Sequence, residues 1–110
     1  MATELTLNTD RGPDGTPRVI ATGEIDLSNV AHFIQALSTA SAGTRRPVTV
    51  DLSTVKYMDS AGINALFNHA DKVDGLHIIV HPLLIRVLTI SGLDKIANLE
   101  AARESAGGDG

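Results

Sequence analysis

The clearest change of hydrophobic period falls mid-chain, between Pro47 and Ala70 (PVTVDLSTVKYMDSAGINALFNHA). Val48, Val50 and Leu52 form a short β-branched apolar run, which predicts a buried strand covered on both faces. After a short connection the period lengthens. Ile63, Leu66, Phe67, Ala70 and Val73 recur at spacings of three and four, so a helix is expected from about Ser60. At about 100° per residue, Ser60 lies roughly a quarter turn from the centre of that stripe, with Asn64, Asn68 and Asp71 further round on the polar side. Ser60 is therefore expected on the rim, at the helix N-terminus.

The flanking segments repeat this alternation of periods. Glu4 to Thr9 alternates polar with apolar residues, as a half-exposed edge strand does. Asp10 to Pro17 holds two Gly and two Pro and reads as a loop, and Arg18 to Gly23 as a second strand antiparallel to the first. Gly23 allows a close backbone approach or a bulge. Ser28 is a candidate cap for a helix with the stripe Val30, Phe33, Ile34, Leu37 and Ala40, ended by Gly43. Past the polar turn Asp71 to Gly75, Leu76 to Val80 is another buried strand. Pro82 suits the first turn of a helix over Leu83 to Ser91, and Gly92 with Leu93 fits a left-handed cap. The apolar residues of this helix, Ile85 among them, spread over more than half its circumference. A surface helix needs a stripe only a little wider than 100°, so part of this face is expected to meet a partner. Ile96 to Leu99 is a weakly signalled last strand; Ala101 to Ala106 has room for a helical turn, and 107–110 is expected to be disordered. The order is that of one α/β domain with a mixed sheet over residues 1–100 and a tail over 101–110.

Composition narrows the function. A formal charge of −4 with scattered basic residues argues against nucleic-acid binding. The absence of cysteine excludes disulfides and thiolate chemistry, and no apolar run approaches the roughly 20 residues of a membrane helix. The expectation is a cytoplasmic domain without membrane insertion. There is no Walker loop, dinucleotide fingerprint or nucleophile elbow, so no catalytic residue and no cofactor is assigned. His77 and His81 lie four strand residues apart, about 13 Å, too far to share a metal ion. His32 and His69 read as surface or rim residues without a paired ligand, and Asp26 with Asp59 offers too few carboxylates for a metal site.

The turn Asp59-Ser60-Ala61-Gly62 carries the remaining chemistry. Asp and Ser are both favoured N-caps, which is the plain structural reading of Asp59 or Ser60. The first N–H groups of a helix also tolerate an anion, so a phosphate on Ser60 would keep the fold and change the surface beside Asp59. Asp26 has the same two readings, a capping or solvated carboxylate or part of a binding surface.

The segment VDLSTVKYMDSAGINALF resembles the signature of the STAS domain family, especially the stand-alone anti-sigma factor antagonists. VIATGEID (Val19 to Asp26) and PLLIRVLTISGL (Pro82 to Leu93) are similar to that family's second strand and third helix, in the same order along the chain. The resemblance implies a mixed sheet with helices mainly on one face. It also implies an antagonist that binds an anti-sigma factor of the serine-kinase type, frees the sigma factor for transcription, and lets go when the kinase phosphorylates the motif serine; a phosphatase then resets it. Carried onto this chain, Ser60 is the acceptor framed by Asp59 and Gly62, and Asp26, Asp59, Ser60, Gly62 and Asn64 are the expected partner-binding residues. ATP belongs to the kinase. Ala61 stands where many members have Ser or Thr, which leaves one phosphosite. The short tail puts the family's fourth helix in doubt and leaves the apolar third helix free for a partner or a weak homodimer. The alternative within the same family is a docking subunit of a membrane transport system or a nucleotide-sensing module, neither of them phosphorylated.

Overall fold

The computed structural model describes residues 4–102. The elements follow as β1 (Leu5–Arg11), β2 (Pro17–Ile25), α1 (Val30–Ser41), β3 (Val48–Met58), α2 (Ser60–Ala70), β4 (Leu76–Val80), α3 (Pro82–Ile90), a 3₁₀ turn (Leu93–Lys95) and β5 (Asn98–Ala101). They form one sheet in the order β1-β2-β3-β4-β5, with β1 antiparallel to β2 and the other neighbours parallel. Sequential parallel strands joined by right-handed crossovers send every helix to the same face. Burial agrees with that. Val48, Val50, Leu52, Leu76, Ile78 and Val80 are buried, while the alternating Thr49, Asp51, His77 and Ile79 are half-exposed. The central strands are thus covered on one face, not two as their apolar run suggests.

Two boundaries differ from the sequence expectation for identifiable reasons. The β1–β2 loop is shorter than the Gly- and Pro-rich segment, because Asp10 pairs with Arg18 and Arg11 with Pro17 in the ladder. The Arg18 guanidinium donates to both oxygens of Asp10, at 2.8 and 2.7 Å, and extends the hairpin. Strand β3 runs on to Met58 instead of ending near Leu52, with register shifts against β2 between Ile20 and Thr22 and between Gly23 and Glu24. Such bulges break the period of two and re-aim the strand end. Gly23 sits at the second shift with φ +114°, and a Cβ there would lie 2.3 Å from the Glu4 carbonyl oxygen. Only glycine admits β1 so closely.

The helices show further departures. On α1 the first cap position belongs to Asn29, not Ser28, and the end is made by Ala42 at φ 52° followed by Gly43 at φ 74°. The inward face of α2 is rotated from the expected stripe: Gly62, Ala65, Leu66 and His69 are buried, whereas Ile63 and Phe67 are only half-buried. On α3 the outward stripe is Leu83, Val87 and Ile90, and Ile85 instead packs against the core. Gly92 takes φ 92° and delivers Leu93, fully buried, beneath α3. Strand β5 covers Asn98–Ala101, so Ala101 extends the sheet and starts no helix; the rest of the tail from 103 lies outside the described residues.

Candidate partner-binding site at the start of the second helix

Asp59 leaves β3 in an extended conformation, and its Oδ1 accepts from the Ala61 N–H at 2.9 Å and from the Gly62 N–H at 3.4 Å. Asp59, not Ser60, is therefore the cap. Ser60 is the first residue of α2 and is exposed, about half a turn from the buried face that Gly62, Ala65, Leu66 and His69 form. Asn64 is also exposed, one turn further along, and residues four apart share a helix face.

The second oxygen of Asp59 reaches another part of the chain. Its Oδ2 accepts from the Leu27 N–H at 3.2 Å, while the Asp59 N–H donates to the Ile25 carbonyl at 3.1 Å. These bonds bring the turn after β2 against the start of α2. In that turn Asp26 is half-buried, and its Oδ1 accepts from both the N–H and the hydroxyl of Ser28. The Asp26 carbonyl accepts from the N–H groups of Asn29 and Val30, and its own N–H donates to Asn29 Oδ1 at 3.0 Å. Asn29 is buried and also donates from Nδ2 to the Glu24 carbonyl at 3.0 Å. Sequence reading missed Asn29. The only signal was a favoured cap residue directly before the stripe beginning at Val30.

Asp26, Asp59, Ser60 and Asn64 thus share one rim. Gly62 does not reach it: the residue is buried, and an added Cβ would lie 2.5 Å from Met58 Cγ and 3.0 Å from Ile25 Cγ2. Its place in the site is to let α2 lie close to β2 and β3.

The histidines divide by environment. His32 is exposed, His77 Nε2 lies 2.7 Å from Glu100 Oε1, and His81 Nδ1 accepts from the Leu83 N–H to cap α3. His69, expected at the surface or rim, is buried between α1 and α2, and its Nε2 has no hydrogen-bond partner among the described residues. No three His, Asp or Glu side chains gather into a cluster able to hold a metal ion among the described residues.

Burial, aided by the Lys72 charge, holds the His69 pKa below the ordinary imidazole value. The folded state then resists a proton that the unfolded chain accepts below about pH 6.5, so this contribution to stability is full above that pH and is lost as pH falls. Arg45, Asp71 and Lys72 line the adjoining cleft. Of these, the Lys72 charge acts on His69 in the same direction as burial. The wild-type melting temperature should drop between pH 7.5 and 5.5, and His69→Leu should drop less. Equal drops would show that His69 does not titrate in this window.

The family model described as Mlab, STAS domain matches residues 8–100. The chain belongs to the STAS domain family. This STAS domain is similar to the crystal structure of an anti-sigma factor antagonist from Mycobacterium paratuberculosis, with 27% identity over 88% of this chain and 86% of that one and a TM-score of 0.80. It also shares the fold of the anti-sigma factor antagonist SpoIIAA in its unphosphorylated form, at 21% identity, 94% coverage of both chains and a TM-score of 0.68. No helix among the described residues is long and apolar enough to cross a membrane.

Proposed function

We propose that this STAS domain is an anti-sigma factor antagonist that binds an anti-sigma factor of the serine-kinase type while Ser60 is unmodified, and releases it when Ser60 is phosphorylated. The observation that carries the reading is the exposure of Ser60 at the first position of α2 while Asp59 holds the cap. The hydroxyl is thus not required for the fold. A phosphate there meets the positive end of the helix dipole and changes the surface, not the core. The similarity to the mycobacterial antagonist supports the partner class. The domain acts by binding in the cytoplasm, the kinase brings the ATP, and a phosphatase restores the serine. To test this, Ser60→Ala is used as bait in the native cell, the retained anti-sigma factor is purified, and wild-type protein is incubated with it and ATP. Phosphate on the peptide containing Ser60 is expected. A retained partner that leaves Ser60 unmodified counts against the switch and for the docking-subunit reading.

That second reading has one observation in its favour, the outward apolar stripe Leu83, Val87 and Ile90 on α3. Within the antagonist reading the same stripe supports a weak homodimer. Val87→Asp, at a position half open to solvent, should abolish concentration-dependent association in sedimentation runs while changing stability by no more than about 0.5 kcal/mol. Unchanged association would remove α3 from the interface.

A further inference from the structure

We propose that Asp59 is a positioning residue: one oxygen holds the start of α2, the other holds the Leu27 N–H, and together they present the Leu27 side chain beside Ser60 as the apolar contact for an apolar hollow on the anti-sigma factor. This rests on the antagonist reading above and reassigns Asp59, which the family resemblance puts among the partner-binding residues.

Leu27 is 78% exposed, in a turn where polar residues are the norm. A single exposed leucine on a mobile loop would need no explanation. This one stands on a turn fixed at almost every polar group. The Asp26 carbonyl takes two N–H groups, Asp26 Oδ1 takes the Ser28 N–H and hydroxyl, and Asn29 bonds through both ends of its amide. The Leu27 N–H closes the set by donating to Asp59 across 32 residues of sequence. A contact fixed in advance loses little conformational freedom on binding, and a leucine gains by leaving water.

The carboxylates point to the same division of labour. Both oxygens of Asp59 are taken by N–H groups of its own chain, and Asp26 Oδ1 by Ser28. The exposed residues of these two segments close to the Asp59 bonds are Leu27, Ser28, Ser60 and Asn64, and of these Ser28 already gives its hydroxyl to Asp26. The charge that a kinase adds at Ser60 would then fall beside the apolar contact, where the interface has least water to screen it.

The experiment uses the anti-sigma factor retained by Ser60→Ala, titrated calorimetrically against wild type, Leu27→Ala, Asp59→Asn and the double variant. Asparagine caps a helix as well as aspartate but turns an N–H₂ toward the Leu27 N–H, so the cap survives and the strut is lost. Asp59→Ser, which caps through a single hydroxyl, is the second variant should Asn disturb the fold. Leu27→Ala should lower affinity about tenfold or more, with unchanged melting. Asp59→Asn should lower it by a similar factor in the wild-type background and hardly at all on top of Leu27→Ala. In the free protein, hydrogen exchange at the Leu27 amide should accelerate in Asp59→Asn. Wild-type affinity for Leu27→Ala, an undiminished Asp59→Asn effect in the Leu27→Ala background, or unchanged exchange at Leu27 would each overturn the inference while leaving the antagonist reading standing. A wild-type domain that binds no anti-sigma factor would end both.

Discussion

Glutamate in place of Ser60 should leave this STAS domain folded and lower its affinity for the anti-sigma factor about a hundredfold, since one misplaced charge in an interface costs several kcal/mol and each 1.4 kcal/mol is a factor of ten. The fold tolerates the change because Ser60 is exposed and makes no capping bond; Asp59 supplies that bond to Ala61 and Gly62. A carboxylate in the first turn of a helix is favoured by the dipole by about 0.3–1 kcal/mol, which offsets repulsion from Asp59. The interface has no such compensation, because a surface shaped around a neutral hydroxyl must desolvate the new charge next to Leu27 and Asp59. Ser60→Ala removes the acceptor without adding charge, and should bind as tightly as wild type and stay bound in the presence of ATP. Calorimetric titration of the three forms checks this, with melting temperatures run in parallel. Weak binding by a Ser60→Glu variant that also melts early would trace the loss to the fold and not to the switch.

Gly62→Val should cost about 1–3 kcal/mol of stability by overpacking, a fall in melting temperature of roughly 5–20 °C for a domain of this size. A Cβ at position 62 would lie 2.5 Å from Met58 Cγ, 3.1 Å from Met58 Sδ and 3.0 Å from Ile25 Cγ2. Met58 could swing away if it were at the surface, but it is only 6% exposed and Ile25 is completely buried. The added methyls must therefore push α2 off the ends of β2 and β3. Met58 directly precedes Asp59 and Ile25 accepts the Asp59 N–H, so the same push reaches the cap and the Leu27 turn. A melt superimposable on wild type would mean that the start of α2 is packed loosely enough to accept a branched side chain.

The element order was legible because the period changes from two to three-and-a-half and back in regular succession, and because Pro82, Gly43 and Gly92 punctuate it. The end of β3 was not. Its two register shifts against β2 put Val55 and Met58 inward and leave Thr54, Lys56 and Tyr57 exposed, a spacing of three that imitates a loop. The face of α2 was misjudged for a different reason. A stripe drawn through large apolar residues centres on Ile63 and Phe67, yet close packing on the strands and α1 selects the small Gly62 and Ala65 and draws His69 inward. For the site, Asp59-Ser60 and its helix N-terminus were visible in the sequence, since capping chemistry is local. Asn29 and Leu27 were not, because their roles depend on bonds to Glu24, Asp26 and Asp59 that only the folded chain brings together.

The central claim is that phosphate on Ser60 separates this STAS domain from its partner without unfolding it. The direct measurement takes one preparation, divides it, phosphorylates half with the purified anti-sigma factor and ATP, and titrates both halves against fresh anti-sigma factor. The account predicts phosphate on Ser60 alone, affinity reduced about a hundredfold or more, and a melting temperature within about 2 °C of the unmodified half. Equal affinity of the two halves with Ser60 fully phosphorylated would contradict it.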